Sequence, residues 1–427
     1  MFEIKQFKMS GGMAMETTPS FPHENEEQAI SYLTKFVTSP IRGDEDIRER
    51  EDSIIKLGNL LASSKRTHEL RQMIEETRPF LVALGKAKAA KLVRDLVDMC
   101  LKIDQDGDIK VELVQESIQW ASAQNRNFLR QTLQGRLVRL YNDLGRYPQA
   151  LQQATELVRE LKKVDDKDLI VEVQLEESKA CYHLSSLAKA RAALTSARTT
   201  ANSMYISPAM QADLDMQSGI LHAADERDFQ TAYSYFYEAF EGYNMIESQK
   251  DATRALKYML LSKVMLDASD EATNVLAHKN IVKYHGEDVT AMLAIATAAK
   301  NRSLKQFNEA FGHYRQELQC DPVVRKHFNA LSDAMLEKEL CRLIEPYSFV
   351  QISHISERIG LPIEKVEKKL AQMILDQKFS GSLHQGDGML VVYDAEVEDR
   401  TYDLAVQTIR AMGEVVDVLY TRAKNIR

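Results

Sequence analysis

Between residues 26 and 345 the apolar positions recur every three to four residues, in long segments rich in Ala, Leu, Glu, Lys and Gln. That period marks amphipathic helices that bury one face, and β-branched alternation is nearly absent before residue 346. Only 17 glycines and 9 prolines interrupt the chain, and Pro40, Pro208, Pro322 and Pro346 stand where helices should start or stop. Proline fixes φ and lacks an N–H, so helices accept it in the first turn and end before it. An internal repeat says more. Aligning Tyr147, Leu187, Phe229, Ser269 and Phe307 puts an alanine three residues after each: Ala150, Ala190, Ala232, Ala272 and Ala310, at intervals of 40, 42, 40 and 38 residues. Seven residues after each anchor comes Ala154, Leu194, Phe236, Leu276 or Tyr314. These offsets share one helix face. A small alanine there admits a neighbouring helix while the larger residues fill the groove. Chance alignment of ordinary amphipathic helices is the alternative, and five anchors keeping both offsets argue against it.

A helical hairpin cannot bury its apolar face alone, so such units stack on one another. The segment Gly145-Arg146-Tyr147-Pro148-Gln149-Ala150 is similar to the turn and second helix of a tetratricopeptide (TPR) unit, although the spacing is longer than that repeat's ideal. The expected fold is mainly α, opening with a right-handed, TPR-like helical-repeat solenoid. At residue 346 the period changes. Ser348–Ile352 reads as a short strand, followed by a helix with Ile355 and Ile359, the turn Gly360-Leu361-Pro362, and a helix through Val366, Leu370 and Ile374. Lys378–His384 and Met389–Tyr393 then read as two strands joined by Gln385-Gly386-Asp387-Gly388, whose glycines and Asp suit the positive φ of a hairpin turn. This is the winged-helix order. The segmentation expected from the pattern is a disordered stretch over residues 1–25, helical repeats over 26–210, a second domain over 211–394 (helical to 345, winged helix over 346–394), and a final helix over 395–427.

In that last helix Tyr402, Ala405, Ile409, Met412, Val416, Leu419, Ala423 and Ile426 alternate spacings of three and four, an unbroken heptad seam. A second apolar row, Leu404, Ala411, Val415 and Val418, runs beside it. Two rows call for partners on more than one side, as in a multi-helix bundle. Arg422, Lys424 and Arg427 suit the negative end of the helix dipole. Of the seam, Tyr402, Ile409, Met412, Val416, Leu419, Ala423 and Ile426 are the expected partner interface. A helix folded back on its own domain is the alternative.

Composition narrows the function. The 427 residues carry 55 Lys and Arg against 63 Asp and Glu, a net charge of −8. That acidic balance disfavours sequence-independent binding of phosphate backbones. Cys100, Cys181, Cys320 and Cys341 form no CxxC pair, which fits free thiols in a reducing compartment. The N-terminal stretch, interrupted by Glu3, Lys5 and Lys8, lacks the apolar run of a secretory signal, and no run of 18 apolar residues occurs. Cytosol or nucleus is therefore expected. Chemistry is sparse. Gly85-Lys86 lacks the upstream glycine of a phosphate loop, and Gly386-Asp387-Gly388 sits between strands. Asp104–Asp108 puts Ile109 where a calcium loop needs glycine and Gln115 where it needs glutamate. The ten histidines, His278 and His285 included, show no HExxH or HxH. Cys181 beside Tyr182 reads as a small buried residue. No enzyme, cofactor or metal site is expected. The winged helix's second helix mixes Lys365, Lys368, Lys369 and nearby Lys378 with Glu364, Glu367 and Asp376, the pattern of a solvated face more than of a DNA reader. The basic run Lys86–Arg94 suits either an acidic partner or an exposed helix face.

Helical repeats running into a winged helix resemble the PCI-domain family, shared scaffolds of the proteasome lid, the COP9 signalosome and a translation initiation factor complex. The strings Thr195–Asn202, Leu214–Ile220, Thr231–Tyr243, Lys257–Lys263, Lys300–Leu304, Gln372–Phe379 and Val415–Tyr420 resemble the proteasome-lid members of that family. The resemblance implies a non-catalytic scaffold in ubiquitin-dependent degradation, clamping lid, ATPase ring and proteolytic core together. It implies N-terminal repeats that reach the α-ring of the core and touch the ATPase ring. It further implies a PCI winged helix paired side by side with other lid subunits, and a C-terminal helix joining their bundle, with no nucleic acid and no membrane. A signalosome scaffold subunit of the same fold, or a winged-helix nucleic-acid-binding regulator, remain the alternatives.

Overall fold

The computed structural model describes residues 30–31, 33–34, 36–37, 44–103, 107–226, 228–276, 281–284, 286–319, 321–384, 386–393 and 401–425. The expectations for residues 1–25, Pro40, Asp104–Asp106, His278, His285, Cys320 and Ile426 fall outside these. The chain divides into two compact units, Met1–Asp228 with Glu241–Glu247, and Phe229–Phe240 with Ser248–Arg427. The division falls inside one helix.

The first unit contains α1 (Asp44–Ser63), α2 (Thr67–Ala83), α3 (Lys86–Leu101), α4 (Gly107–Ala123), α5 (Asn127–Asp143), α6 (Tyr147–Val164), α7 (Lys167–His183), α8 (Leu187–Ala201), α9 (Pro208–Leu221) and the end of α10 (Phe229–Ile246). Most helices pack on the next and also on the next but one, as α1 does on α3, α5 on α7 and α7 on α9. This is the stacking of helical hairpins that the repeat requires. The apolar faces meet in one cluster that includes Leu57, Leu96, Val97, Leu133, Leu161 and Ala180. Side chains on the rims lace neighbouring layers. Arg136 on α5 pairs with Asp98 on α3 at 3.1 Å and with Glu172 on α7 at 2.5 Å. Across α5 and α7, Asn142 donates to the Glu176 carboxylate at 2.8 Å and to its carbonyl at 2.9 Å. Burial alone would raise that carboxyl, but Lys179 and the Asn142 hydrogen bond together hold it below its ordinary value.

The repeat anchors have a structural meaning: Tyr147, Leu187, Phe229 and Ser269 are the first residues of α6, α8, α10 and α12 (Ser269–Leu276). Ala150, Ala190, Ala232 and Ala272, three residues on, are completely buried. The bare Ala190 lets α7 approach so closely that the Ser178 hydroxyl donates to the Ala190 carbonyl at 2.9 Å. The fifth unit departs from the rule. Ala310 is only half-buried, and Tyr314 lies beyond the end of its helix at His313, where Gly312 weakens the last turn. Six inter-helix turns, drawn from both units, share one backbone motif. Lys65, Asn125, Gly145, Ser185, Asp267 and Arg302 take positive φ. In each, the next residue donates back five positions, as Arg146 does to Tyr141 at 2.8 Å and Ser186 to Cys181 at 2.9 Å. This hydrogen-bonded C-cap satisfies the last carbonyls of the helix.

The second unit starts with Phe229–Phe240 of α10 and continues with α11 (Gln249–Met265), α12, α13 (Glu287–Lys300), α14 (Leu304–His313), α15 (Arg315–Gln319) and α16 (Pro322–Ile344). Its interior is pinned by two polar residues of α11. Buried Lys257 donates to Asp288 of α13 at 2.8 Å and to the Glu317 carbonyl of α15 at 2.5 Å. Tyr258, fully enclosed, donates its hydroxyl to Asp321 at 2.8 Å, and Asp321 in turn accepts from Val323 N at 3.0 Å, capping α16. Burial pushes that phenol well above its ordinary pKa.

Next come β1 (Phe349–Gln351), α17 (Ile352–Ile359), α18 (Ile363–Leu375), β2 (Gly381–His384) and β3 (Met389–Val392). The sheet is antiparallel in the order β1-β3-β2, with Val350 opposite Leu390 and Leu383 opposite the same residue. This is a winged helix. Its core takes Leu340 and Ile344 from the end of α16 together with Val350, Ile352, Ile355, Val366, Leu370, Met373 and Leu390. In the hairpin turn, positive φ is confined to Gly388 among the described residues, so the turn needs less backbone freedom than its two glycines and Asp imply. The last element, α19 (Thr401–Asn425), is a single uninterrupted helix.

Because Ala190 is enclosed and Ala188 in the same turn is exposed, Ala190→Leu should cost about 1–3 kcal/mol by overpacking. Ala188→Leu should stay within about 0.5 kcal/mol of the parent. Denaturant unfolding of the two variants checks this, and equal costs would remove the close-approach role of the repeat alanine.

Candidate functional site

The described cysteines lie wholly or partly out of water. Burial pushes the Cys100 thiol up to about 11 and also raises those of Cys181 and Cys341. A thiol raised in this way carries little thiolate at neutral pH. His183 stacks on Tyr147 with ring centroids 4.5 Å apart and an interplanar angle of 9°. No group of three His, Cys, Asp or Glu able to hold a metal occurs among the described residues.

The winged helix offers surface instead. Val392 N donates to Ser348 O and Ile352 N to Gly388 O, both at 2.9 Å, so β1 is bonded to β3 through alternate residues. The backbone of Phe349 and Gln351 faces the open edge of the sheet. The side chains of Tyr347, Phe349 and Tyr393 are all exposed around that strand. On α18, Lys369 is drawn onto Glu337 of α16 at 2.8 Å, while Glu364, Lys365 and Lys368 remain in solvent. The outward face of α18 is therefore of mixed charge, and one of its three lysines is already committed.

The most exposed apolar surface lies on α19. Every described side chain of this helix is exposed except the half-buried Val406. Ile409 is 68% exposed, Val416 62% and Leu419 59%. Tyr402, Met412 and Ala423, also on the seam, are likewise in solvent. The second row is open too, with Leu404 59% and Val415 58% exposed. Scattered apolar residues on a surface are ordinary, but α19 sets two rows of them side by side along one 25-residue helix. The sequence reading missed the commitment of Lys369 and the open aromatic edge at β1. The Tyr347, Phe349 and Tyr393 run of aromatics flanking a three-residue strand was the available signal for the second.

Comparison with known proteins places this arrangement in a class. Residues 304–394 match the PCI domain, a span that takes in α14 to α16 and the winged helix. Two further segments match more narrowly: residues 13–144 match the 26S proteasome regulatory subunit RPN6 N-terminal domain, and residues 398–424 match the 26S proteasome subunit RPN6 C-terminal helix domain. The probable 26S proteasome regulatory subunit rpn-6.1 of Caenorhabditis elegans is 66% identical over 420 residues, covering 98% of this chain and 96% of that protein. The 26S proteasome non-ATPase regulatory subunit 11 homolog of Arabidopsis thaliana is 44% identical over 402 residues, covering 94% and 96%. The probable regulatory subunit rpn6 of Schizosaccharomyces pombe is 43% identical over 413 residues, covering 96% and 98%. This chain belongs to the RPN6 family of 26S proteasome regulatory subunits.

Since no side chain of α19 whose burial is described belongs to the buried core, truncation after Arg400 should leave the remaining chain's unfolding free energy within about 0.5 kcal/mol of the parent. Binding of a surface-hydrophobic dye should fall. A loss of stability of about 2 kcal/mol or more would mean that the stripes are covered within the chain.

Proposed function

We propose that this chain is a non-catalytic scaffold subunit of the 26S proteasome regulatory lid, holding lid, ATPase ring and proteolytic core together for ubiquitin-dependent degradation. The observation that carries the proposal is α19, a helix with two apolar rows open to water in a chain of the RPN6 family. In this reading the repeats of residues 26–210 reach the α-ring of the core and the ATPase ring. The PCI part, residues 211–394, pairs through its winged helix with other PCI lid subunits, and the open edge at β1 suits such side-by-side pairing. Residues 395–427 enter a helix bundle through Tyr402, Ile409, Met412, Val416, Leu419 and Ala423, with Ile426 continuing the seam beyond the described residues. The complex works in cytoplasm and nucleus. No helix among the described residues is long and apolar enough to cross a membrane.

The names of the relatives favour the lid over the signalosome. The mixed charge of α18 gives a nucleic-acid reading nothing to stand on. Burying the seam would contribute about 10 kcal/mol of hydrophobic transfer, from which association and ordering subtract a large part. One carboxylate in the seam should then decide assembly. Leu419→Asp is expected to give a soluble, fully helical chain that fails to co-purify with lid subunits, because burying an unpaired charge costs several kcal/mol. Normal incorporation of that variant would reject the bundle role.

A further inference from the structure

A cleft of about 630 Å³ opens in the first unit between α3, α4 and α5. Its volume is in the range of sites that hold a drug-sized ligand or a few peptide residues, ~300–1,000 Å³. Leu101, Leu140 and Leu144 supply its apolar lining, and Lys102, Lys110 and Arg139 its charge. These three cations differ from Arg136, the fourth cation of the lining. Arg136 at the same cleft is neutralised by Asp98 and Glu172, whereas Lys102 and Arg139 are exposed and form no ion pair or hydrogen bond among the described residues. Lys110 turns its ammonium to the carbonyls of Leu101 and Ile103 at the end of α3, which satisfies its donors without cancelling its charge. Asp143 is the one carboxylate of the lining without an ion pair. Desolvation and the neighbouring Glu176 raise its pKa, against the opposing fields of Arg139 and Lys110.

We infer that this cleft docks an extended segment of a partner protein in which carboxylates alternate with aliphatic side chains. Charge complementarity selects the acidic residues, since Lys102, Lys110 and Arg139 outnumber Asp143, the lining carboxylate with no ion pair among the described residues, and set a positive field in a concave, partly apolar wall. The leucines select the aliphatic ones. A nucleic acid is disfavoured because no aromatic ring lines the cleft to stack a base. The site lies in the first unit and does not involve α19, so it stands or falls separately from the lid-bundle role.

Fluorescence anisotropy on the full chain tests the inference, using a fluorescein-labelled Glu-Leu-Glu-Glu-Leu-Glu peptide and its Lys-for-Glu counterpart. The acidic peptide should bind saturably and weaken with salt, and the basic one should not bind. The double substitution Lys102→Glu with Arg139→Glu should weaken the acidic peptide by about tenfold or more, each exchange removing an attraction and adding a repulsion. Lys86→Glu with Lys91→Glu, an equal charge change on exposed positions of α3 outside the cleft, should leave binding within about twofold. Equal binding of both peptides, no effect of the cleft pair, or an equal loss in the control pair overturns the proposal. Circular dichroism of each variant confirms that it is folded.

Discussion

Close approach of helices at a bare alanine is the contact on which the rest of this molecule rests. An amphipathic helix of about 17 residues has too little apolar surface to stand alone in water. It becomes stable only when its neighbour comes near enough for the flanking Leu, Phe and Tyr side chains to interlock. At Ala150, Ala190, Ala232 and Ala272 the second helix of a hairpin has no side chain beyond Cβ to hold the first one off. The positive-φ turns fix the other end of the same geometry, because the hydrogen-bonded cap sets where the second helix begins. Alanine spacing and turn geometry together repeat the hairpin at near-constant length.

In the second unit the same stacking is overlaid with buried polar chemistry. Lys257 and Tyr258 are neighbours on α11, yet they point to different elements, one to α13 and α15 and the other to the cap of α16. Tyr258 thereby fixes the start of a 23-residue helix whose far end supplies Leu340 and Ile344 to the winged-helix core. Within this unit, the foundation of the winged helix runs through α16 back to α11.

Much of this was legible beforehand. The alanine register was visible because small residues at a fixed offset are rare enough to stand out. The heptad of the tail was visible because nothing interrupts it. The order of strands and helices after residue 346 was visible in the change of period. The turns were not: Lys65, Ser185 and Arg302 adopt the left-handed region without glycine, and nothing in a polar residue's identity announces that. Buried Lys257 was equally hidden, since a lysine inside an apolar run ordinarily keeps its head in water. Its burial depends on Asp288 and on a carbonyl of residue 317, both remote in sequence. The cleft between α3 and α5 was out of reach for the same reason. The run Lys86–Arg94 drew notice as a charged segment, yet Lys102 and Arg139 converge only once the layers are stacked.

The nakedness of α19 bears on the life of a newly made chain before it meets its partners. Until then the two oily rows face water, and any other copy that diffuses past offers the same rows in return. Such rows favour self-association as concentration rises. On the proposed bundle role, the chain's safe concentration is set by how fast partners take it up, overproduction relative to them should end in clumping, and the uncovered tail is the physical mark that would distinguish an orphan from an assembled copy.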